Sequence, residues 1–156
     1  MESLDKKFIH SGQLFVAARD TTIMTVLGSC VAVCLYDPKT KIAGMNHYLL
    51  PLWNNEGLAS PKYGNISIEK LVDAMESVGC ARRNIIAKVF GGASPNNFSN
   101  SSSQLIGEKN VNVAIDMLQE YNIEVVARDI GGIRGRKIAM NSSTGKVIMR
   151  YTQKSE

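Results

Sequence analysis

Hydrophobic residues along this chain occur mostly in short runs rich in β-branched side chains, and turn-forming residues separate the runs. This pattern is typical of strands joined by turns. The predicted strands are 13–18, 21–27, the two arms of a hairpin across 30–50, 84–90, 123–127 and a hairpin across 137–151. These strands therefore account for most of the hydrophobic pattern.

Two segments instead carry apolar residues at helical spacing. Residues 66–78 present one apolar face and are followed by Gly79, a suitable helix end, and residues from about 104 to 121 present a second such face. A polar loop is expected at 91–103, before the second helix. The sum predicts an α/β fold, a β-rich layered sandwich with about two helices packed on the outside.

Composition narrows the class of protein. The chain has 156 residues, of which 44% are hydrophobic and 21% charged. These values fit a single domain, 1–156, with its core at about 12–151. No stretch approaches the roughly 18 apolar residues of a membrane span, and the N-terminus lacks a signal-peptide core. We therefore expect a cytoplasmic protein with no membrane insertion.

The polar residue types exclude several kinds of site. Three cysteines and two histidines without a CxxC pair fit neither a disulfide framework nor a zinc site, so we expect no metal. The net charge of +4 is mild. The one basic cluster, Arg134, Arg136 and Lys137, lacks interleaved aromatic residues, so we expect it to be solvated and expect no nucleic-acid partner. The chain has two glycine pairs, Gly91-Gly92 and Gly131-Gly132, and neither matches a phosphate-binding motif. These glycines either form turns or allow close approach of a ligand.

The hairpin across 30–50 carries the main chemical prediction. If residues 37–40 form its turn, Tyr36 pairs with Lys41, and the same register places Cys30 directly opposite His47. Directly opposed residues have Cβ atoms about 4.5–5.5 Å apart on one face of a sheet. A turn that shifts the register by two positions keeps the face, whereas a one-residue bulge reverses it.

A thiol beside an imidazole can act as a nucleophile with its own base. Positive charge nearby lowers a thiol pKa, so we expect a thiolate–imidazolium pair in which His47 also shuttles protons. Gly28 and Ser29 precede the cysteine, where a flexible backbone can turn amide groups toward a bound carbonyl as an oxyanion site. Thr25, on the preceding strand, could orient His47 or bind a substrate amide.

The residues alone leave other interpretations open. Cys30 could be a packed core residue, His47 a half-buried histidine with satisfied hydrogen bonds, and Thr25 an ordinary strand residue. We expect the remaining chemically active side chains to lie outside the site. They are Cys34 in the core, Cys80 in packing, His10 solvated in an unstructured lead and Asp129 in a turn.

Several motifs together resemble the CheD family of chemotaxis proteins. The segment TVLGSCVAVCLYD is followed by HYLLP, so that Cys30 precedes His47 by seventeen positions. FGGA at 90–93, IGEKN at 106–110, DIGG at 129–132 and GRK at 135–137 follow in the family's order. The resemblance covers roughly residues 12–150, and its first block is the most specific part.

This resemblance implies deamidation of glutamine side chains to glutamate on the cytoplasmic helices of chemoreceptors, without a cofactor. It assigns Cys30 as nucleophile, His47 as base and Thr25 as the nearest match to the family's threonine. It also implies possible glutamyl methyl ester hydrolysis, the phosphatase CheC as a partner, and a fold related to the catalytic domains of cytotoxic necrotizing factor toxins.

Two other functions are compatible with the residues. The protein could be a non-catalytic regulatory module that binds and stimulates CheC. A redox protein using Cys30 and Cys34 is disfavoured, because residues four apart on a strand lie about 13 Å from each other and a disulfide needs Cα atoms within about 7 Å.

Overall fold

The computed structural model describes residues 5–94 and 102–152, and within them nine strands and two α-helices. The strands are β1 (Asp5–Phe8), β2 (Leu14–Val16), β3 (Thr21–Leu27), β4 (Val31–Asp37), β5 (Ile42–Asn46), β6 (Ile86–Gly91), β7 (Glu124–Ile130), β8 (Arg136–Asn141) and β9 (Val147–Tyr151). The helices are α1 (Gly64–Ser77) and α2 (Ser102–Glu120). Every strand and helix predicted from the sequence is present, with bounds that differ by a few residues.

The strands form two sheets. One has the order β1-β3-β8-β9 and the other the order β2-β5-β4-β6-β7. One apolar core, which includes Ile23, Met45 and Ile138, lies between the sheets. A second core, which includes Leu35 and Leu71, lies between the five-stranded sheet and the helices. The molecule therefore has three layers, and the predicted α/β sandwich with outer helices is confirmed.

Strand β4 explains why residues 30–36 form one continuous apolar run. Val31, Val33 and Leu35 point toward the helices. Ala32 and Cys34 point toward the other sheet. A strand covered on both faces has no polar alternation, since neither side of it meets water. Cys34 is 2% exposed, as predicted for a core residue.

The segment before residue 12 was expected to be unstructured, and this prediction is wrong. Residues Asp5–Phe8 form β1, which pairs in parallel with β3. The next residue, Ile9, is fully buried. The DKKF sequence gave no hydrophobic signal because the strand lies at a sheet edge with three exposed residues. His10 is exposed, in agreement with the prediction.

Arg136 was expected to be solvated, and this is also wrong. Its side chain is 2% exposed, and its Nε donates to Asp129 Oδ1 at 2.8 Å. The guanidinium also donates to the carbonyls of Gly91 and Gly131. The reason is that strands β6 and β7 end there with carbonyls that need donors, and the buried cation supplies them. Arg134 and Lys137 are exposed, as expected.

Two further observations concern the chain as a whole. Within the described residues, no helix is both long enough and apolar enough to cross a membrane. Part of the predicted polar loop at 91–103, residues 95–101, lies outside the described residues.

Candidate active site

The hairpin that carries Cys30 and His47 has a different register from the predicted one. Tyr36 pairs with Ala43 instead of Lys41, because Asp37 is the last strand residue and the turn follows it. Lys41 has a φ of 59° and donates its amide to the Asp37 carbonyl at 2.7 Å, which closes the turn one residue later than predicted. The register therefore moves by two positions, and direct opposition of Cys30 and His47 is wrong.

A shift of two positions leaves the two side chains on the same face of the sheet. Val31 and Tyr48 bond to each other through both amides, at 3.2 and 3.0 Å, so Cys30 and His47 flank this bridge diagonally. Diagonal neighbours have Cα atoms about 7–8 Å apart, within reach of long side chains. Both residues point into the layer between the sheets, where Cys30 packs at the edge of the apolar core.

Thr25 connects the histidine to the other sheet. Its hydroxyl lies 2.8 Å from the Ile9 carbonyl and 2.7 Å from His47 Nδ1. Because a hydroxyl has one proton and a carbonyl can only accept, the Thr25 proton goes to Ile9. The hydroxyl oxygen then accepts from Nδ1–H, which fixes the tautomer of neutral His47. This leaves the lone pair on Nε2, the nitrogen that a general base needs.

Burial favours the uncharged forms of the Cys30 thiol and the His47 imidazole. Desolvation lowers the pKa of His47 to about 4, and nearby His10 adds to the shift. Desolvation also raises the pKa of the Cys30 thiol, against a smaller lowering by its own backbone amide. Since a buried charge is disfavoured, the resting pair at neutral pH is thiol and imidazole. The expected thiolate–imidazolium pair is therefore not the resting state.

Nε2 of His47 is buried and has no hydrogen-bond partner among the described residues. The residue as a whole is only 5% exposed. A buried nitrogen with an unused lone pair is uncommon in proteins and calls for a physical reason. Here it is the atom that would accept a proton from the thiol or from water.

The backbone carbonyls of residues 28–30 all accept hydrogen bonds, which hold this segment in place. The Gly28 carbonyl accepts from the Ala93 amide at 3.0 Å, and the Cys30 carbonyl accepts from the Gly92 amide at 2.9 Å. The Ser29 carbonyl accepts from the Asn110 side chain at 3.0 Å. No backbone acceptor within the described residues is bound to the Ser29 and Cys30 amides. These two amides are the backbone donors nearest to the Cys30 thiol.

Gly91 allows strand β6 to pack directly on the cysteine. A Cβ atom at Gly91 would lie 2.2 Å from the Cys30 carbonyl oxygen, and its φ is 112°. Both features require glycine at this position. Gly28, in contrast, has open space where a Cβ atom would stand. The glycine pair at 91–92 thus permits close approach of the backbone that carries Cys30.

Asn110 joins the cysteine segment to the histidine segment. Its side chain is fully buried, and Nδ2 donates to the carbonyls of Ser29 at 3.0 Å and Leu49 at 2.9 Å. Ser29 precedes Cys30, and Leu49 follows His47 by two residues. Asn110 lies in the IGEKN motif, but neither spacing nor residue type shows which carbonyls a helix asparagine meets.

The remaining candidates lie away from this cluster. Cys80 is 5% exposed with its sulfur 3.5 Å from the Thr40 hydroxyl, which confirms its packing role. Asp129 was expected in a turn, and this is wrong: it lies in strand β7, paired with Phe90, and its carboxylate is bound to Arg136. Sequence reasoning missed the Ile9 carbonyl and Asn110. The IGEKN motif and the helical spacing of 104–121 were signals for Asn110, whereas the Ile9 carbonyl had none.

Comparison with known proteins identifies the family. Residues 49–151 match the CheD family, described as CheD chemotactic sensory transduction. A protein of Sulfurimonas denitrificans, a probable chemoreceptor glutamine deamidase CheD, is 64% identical over 152 residues, which cover 97% of each chain. This chain belongs to the CheD family.

Other CheD proteins match at lower identity. A probable chemoreceptor glutamine deamidase CheD of Trichlorobacter lovleyi is 50% identical over 92% of this chain and 89% of its own. One of Anaeromyxobacter dehalogenans is 45% identical over 92% of this chain and 82% of its own. These matches to CheD proteins span nearly the full chain, including the segment from Cys30 to His47 that precedes the matched family region.

Proposed function

We propose that this protein deamidates glutamine side chains of chemoreceptors to glutamate by hydrolysis, with Cys30 as nucleophile and His47 as general base. The family membership supports the substrate class, since its relatives carry the name chemoreceptor glutamine deamidase. The observation that carries the mechanism is the Thr25–His47 hydrogen bond at 2.7 Å, which leaves Nε2 unprotonated on the face that Cys30 shares.

In the first half of the reaction, His47 Nε2 takes the thiol proton while the Cys30 sulfur attacks the side-chain carbonyl carbon of glutamine. The carbonyl oxygen becomes an oxyanion in the tetrahedral intermediate. His47 then returns the proton to the amide nitrogen, the C–N bond breaks, ammonia leaves and a thioester remains. The neutral resting pair suits this route, because His47 must accept one proton before it donates one.

In the second half, His47 Nε2 takes a proton from water, and the hydroxide formed attacks the thioester carbonyl. The C–S bond breaks, the sulfur recovers its proton from His47, and glutamate is released. The net change consumes one water and releases one ammonia for each glutamine. The reaction requires no cofactor, since every proton moves through His47.

The segment from Gly28 to Cys30 supplies the oxyanion site in this proposal. Its three carbonyls are held by other residues, and we assign the amides of Ser29 and Cys30 as the donors to the oxyanion. Removing one such donor typically costs about 2.7–4 kcal/mol in transition-state stabilisation. Thr25 acts as a positioning residue that fixes the His47 tautomer.

The same groups would hydrolyse a glutamyl methyl ester, with methanol leaving in place of ammonia. The protein would meet either substrate on the cytoplasmic helices of a receptor. CheC as a partner remains a prediction from the family resemblance, and the same preparation can test it by co-purification.

The experiment uses a purified cytoplasmic chemoreceptor fragment and follows conversion of glutamine to glutamate by peptide mass spectrometry. We expect conversion with the wild type and none with Cys30→Ala or His47→Ala. Cys34→Ala is the matched control, because it removes a buried thiol from the same strand face and should retain activity. Equal conversion by wild type and Cys30→Ala would exclude the mechanism. No conversion by wild type, with CheC binding intact, would favour the regulatory module.

A further inference from the structure

A groove of about 550 Å³ lies at the end of β7 and along the start of β8. Its chemistry is set by three arginines, one aspartate, an exposed isoleucine and a tyrosine: Arg128, Arg134, Arg136, Asp129, Ile133 and Tyr151. Three guanidinium groups against one carboxylate give it a net positive charge of two. The groove takes no part in the chemistry described above.

Among the residues that the structure describes, a carboxylate neutralises one of the three arginines. Arg136 is buried and paired with Asp129 at 2.8 Å. Arg128 and Arg134 are exposed, and no carboxylate of the described residues lies within 4.0 Å of either guanidinium. The Arg134 guanidinium stacks 4.8 Å from the centre of the Tyr151 ring, which holds the charge in place. The positive charges of Arg128 and Arg134 therefore face solvent at the wall of the groove.

The groove is close to the nucleophile. Val31, directly after Cys30, pairs with Gly91 on β6, and Gly91 pairs with Ile130 on β7. Two neighbouring strand spacings separate Val31 from Ile130, or about 10 Å. The Gly131 amide also donates to the Gly91 carbonyl at 2.9 Å, which ties the groove wall to the strand that packs on Cys30.

We propose that this groove binds an acidic stretch of the substrate helix that flanks the target glutamine. The inference rests on the proposed deamidase function and assigns the recognition element next to the same site. Two turns of an α-helix, seven residues, span about 10.5 Å, which matches the distance from the nucleophile strand to the groove. A glutamate or aspartate about two turns from the glutamine would therefore meet Arg128 or Arg134, while Ile133 and Tyr151 offer apolar contact.

Charge reversal tests the assignment. In Arg128→Glu combined with Arg134→Glu, we expect KM for the receptor fragment to rise about tenfold with kcat nearly unchanged. This follows because the ion pairs of both arginines with the acidic stretch are lost and repulsion replaces them. Added salt should raise KM less in this variant than in the wild type, because it also screens the new repulsion. The double neutralisation to glutamine should give a smaller rise.

Arg83→Glu is the matched control. Arg83 is exposed in the short 3-10 turn Arg82–Asn84, beyond the end of β6 opposite to Gly91, so its reversal lowers the net charge by two far from the site. The single variants Arg128→Glu and Arg134→Glu lower the net charge by the same amount and are the variants compared with Arg83→Glu. Thermal melting of all variants checks that the fold is retained. An equal rise of KM in Arg83→Glu would show an effect of net charge and overturn the proposal.

Helical peptides provide the second arm. One peptide carries the target glutamine with a glutamate seven residues away, and its partner carries glutamine at that second position. The wild type should prefer the acidic peptide through KM, and the double reversal variant should lose this preference. Wild-type activity without any preference would overturn the groove assignment alone. Absence of wild-type activity on every substrate would instead refute the deamidase function.

Discussion

Replacing Thr25 with valine removes one hydroxyl while keeping the shape of the side chain. That hydroxyl is fully buried and satisfies two groups, the Ile9 carbonyl at 2.8 Å and His47 Nδ1–H at 2.7 Å. Leaving a buried polar group without its partner costs about 1–3 kcal/mol for each group. The variant should therefore lose a substantial part of the 5–15 kcal/mol that typically stabilises a domain.

The catalytic effect has a separate cause. Without the Thr25 oxygen, the proton of neutral His47 is free to move to Nε2, and the base is then lost. We expect kcat to fall roughly 10- to 100-fold, within the usual contribution of a general base. The fall should be smaller than the roughly 10⁴-fold seen where a substitution holds a catalytic histidine in the wrong tautomer, because valine holds neither tautomer.

Three measurements separate these effects: kcat on the receptor fragment, the free energy of unfolding in denaturant, and the ¹⁵N chemical shifts of the imidazole. Thr25→Ser is the control, since it keeps the hydroxyl and should restore both kcat and the Nδ1–H tautomer. A folded Thr25→Val protein with kcat within twofold of wild type would refute the role of this hydroxyl in fixing the base.

Three further predictions follow from the same geometry. The folded pKa of His47, about 4, lies below its unfolded value, so wild-type stability should be full above pH 6.5 and fall by about 3 kcal/mol as pH drops to 4; His47→Asn should remove this dependence in denaturant titrations. Gly91→Ala should lower the melting temperature sharply because its Cβ would overlap the Cys30 carbonyl, whereas Gly28→Ala should melt like wild type; equal melting temperatures would contradict this packing. Asn110→Ala should lower kcat more than it raises KM by releasing the Ser29 and Leu49 carbonyls, and an unchanged kcat in a folded variant would count against that role.

The sequence was sufficient for the layers of the fold but not for the details of the hairpin. Strands and helices were found because their burial is periodic. The turn was placed one residue early because Asp37-Pro38 looks like a turn start, whereas Asp37 is a buried strand residue whose carboxylate caps the turn. A glycine at the position of Lys41, with its φ of 59°, would have marked the turn end more clearly.

The prediction that Cys30 and His47 share a face survived the register error, because side chains alternate with a period of two and the error was two positions. Their ionisation was not predictable in the same way. A neighbouring histidine suggests a charged pair in sequence, but burial between two sheets decides the pKa of each group. Likewise, nothing in the DKKF segment shows that the chain after it supplies the carbonyl that holds Thr25.

Asn110 is synthesised later than the side chains of the proposed site, and this affects when the site can form during translation. The side chains of the proposed site, Thr25, Cys30 and His47, all precede residue 48, but the Ser29 carbonyl accepts from a side-chain amide 81 positions further along the chain. When only the first half of the chain has left the ribosome, helix α2 is missing. Strands β8 and β9 are missing from one sheet, and strands β6 and β7 are missing from the other. Enzymatic competence should therefore arise only after helix α2 and strands β6 to β9 have been synthesised, so that shorter fragments do not modify a receptor.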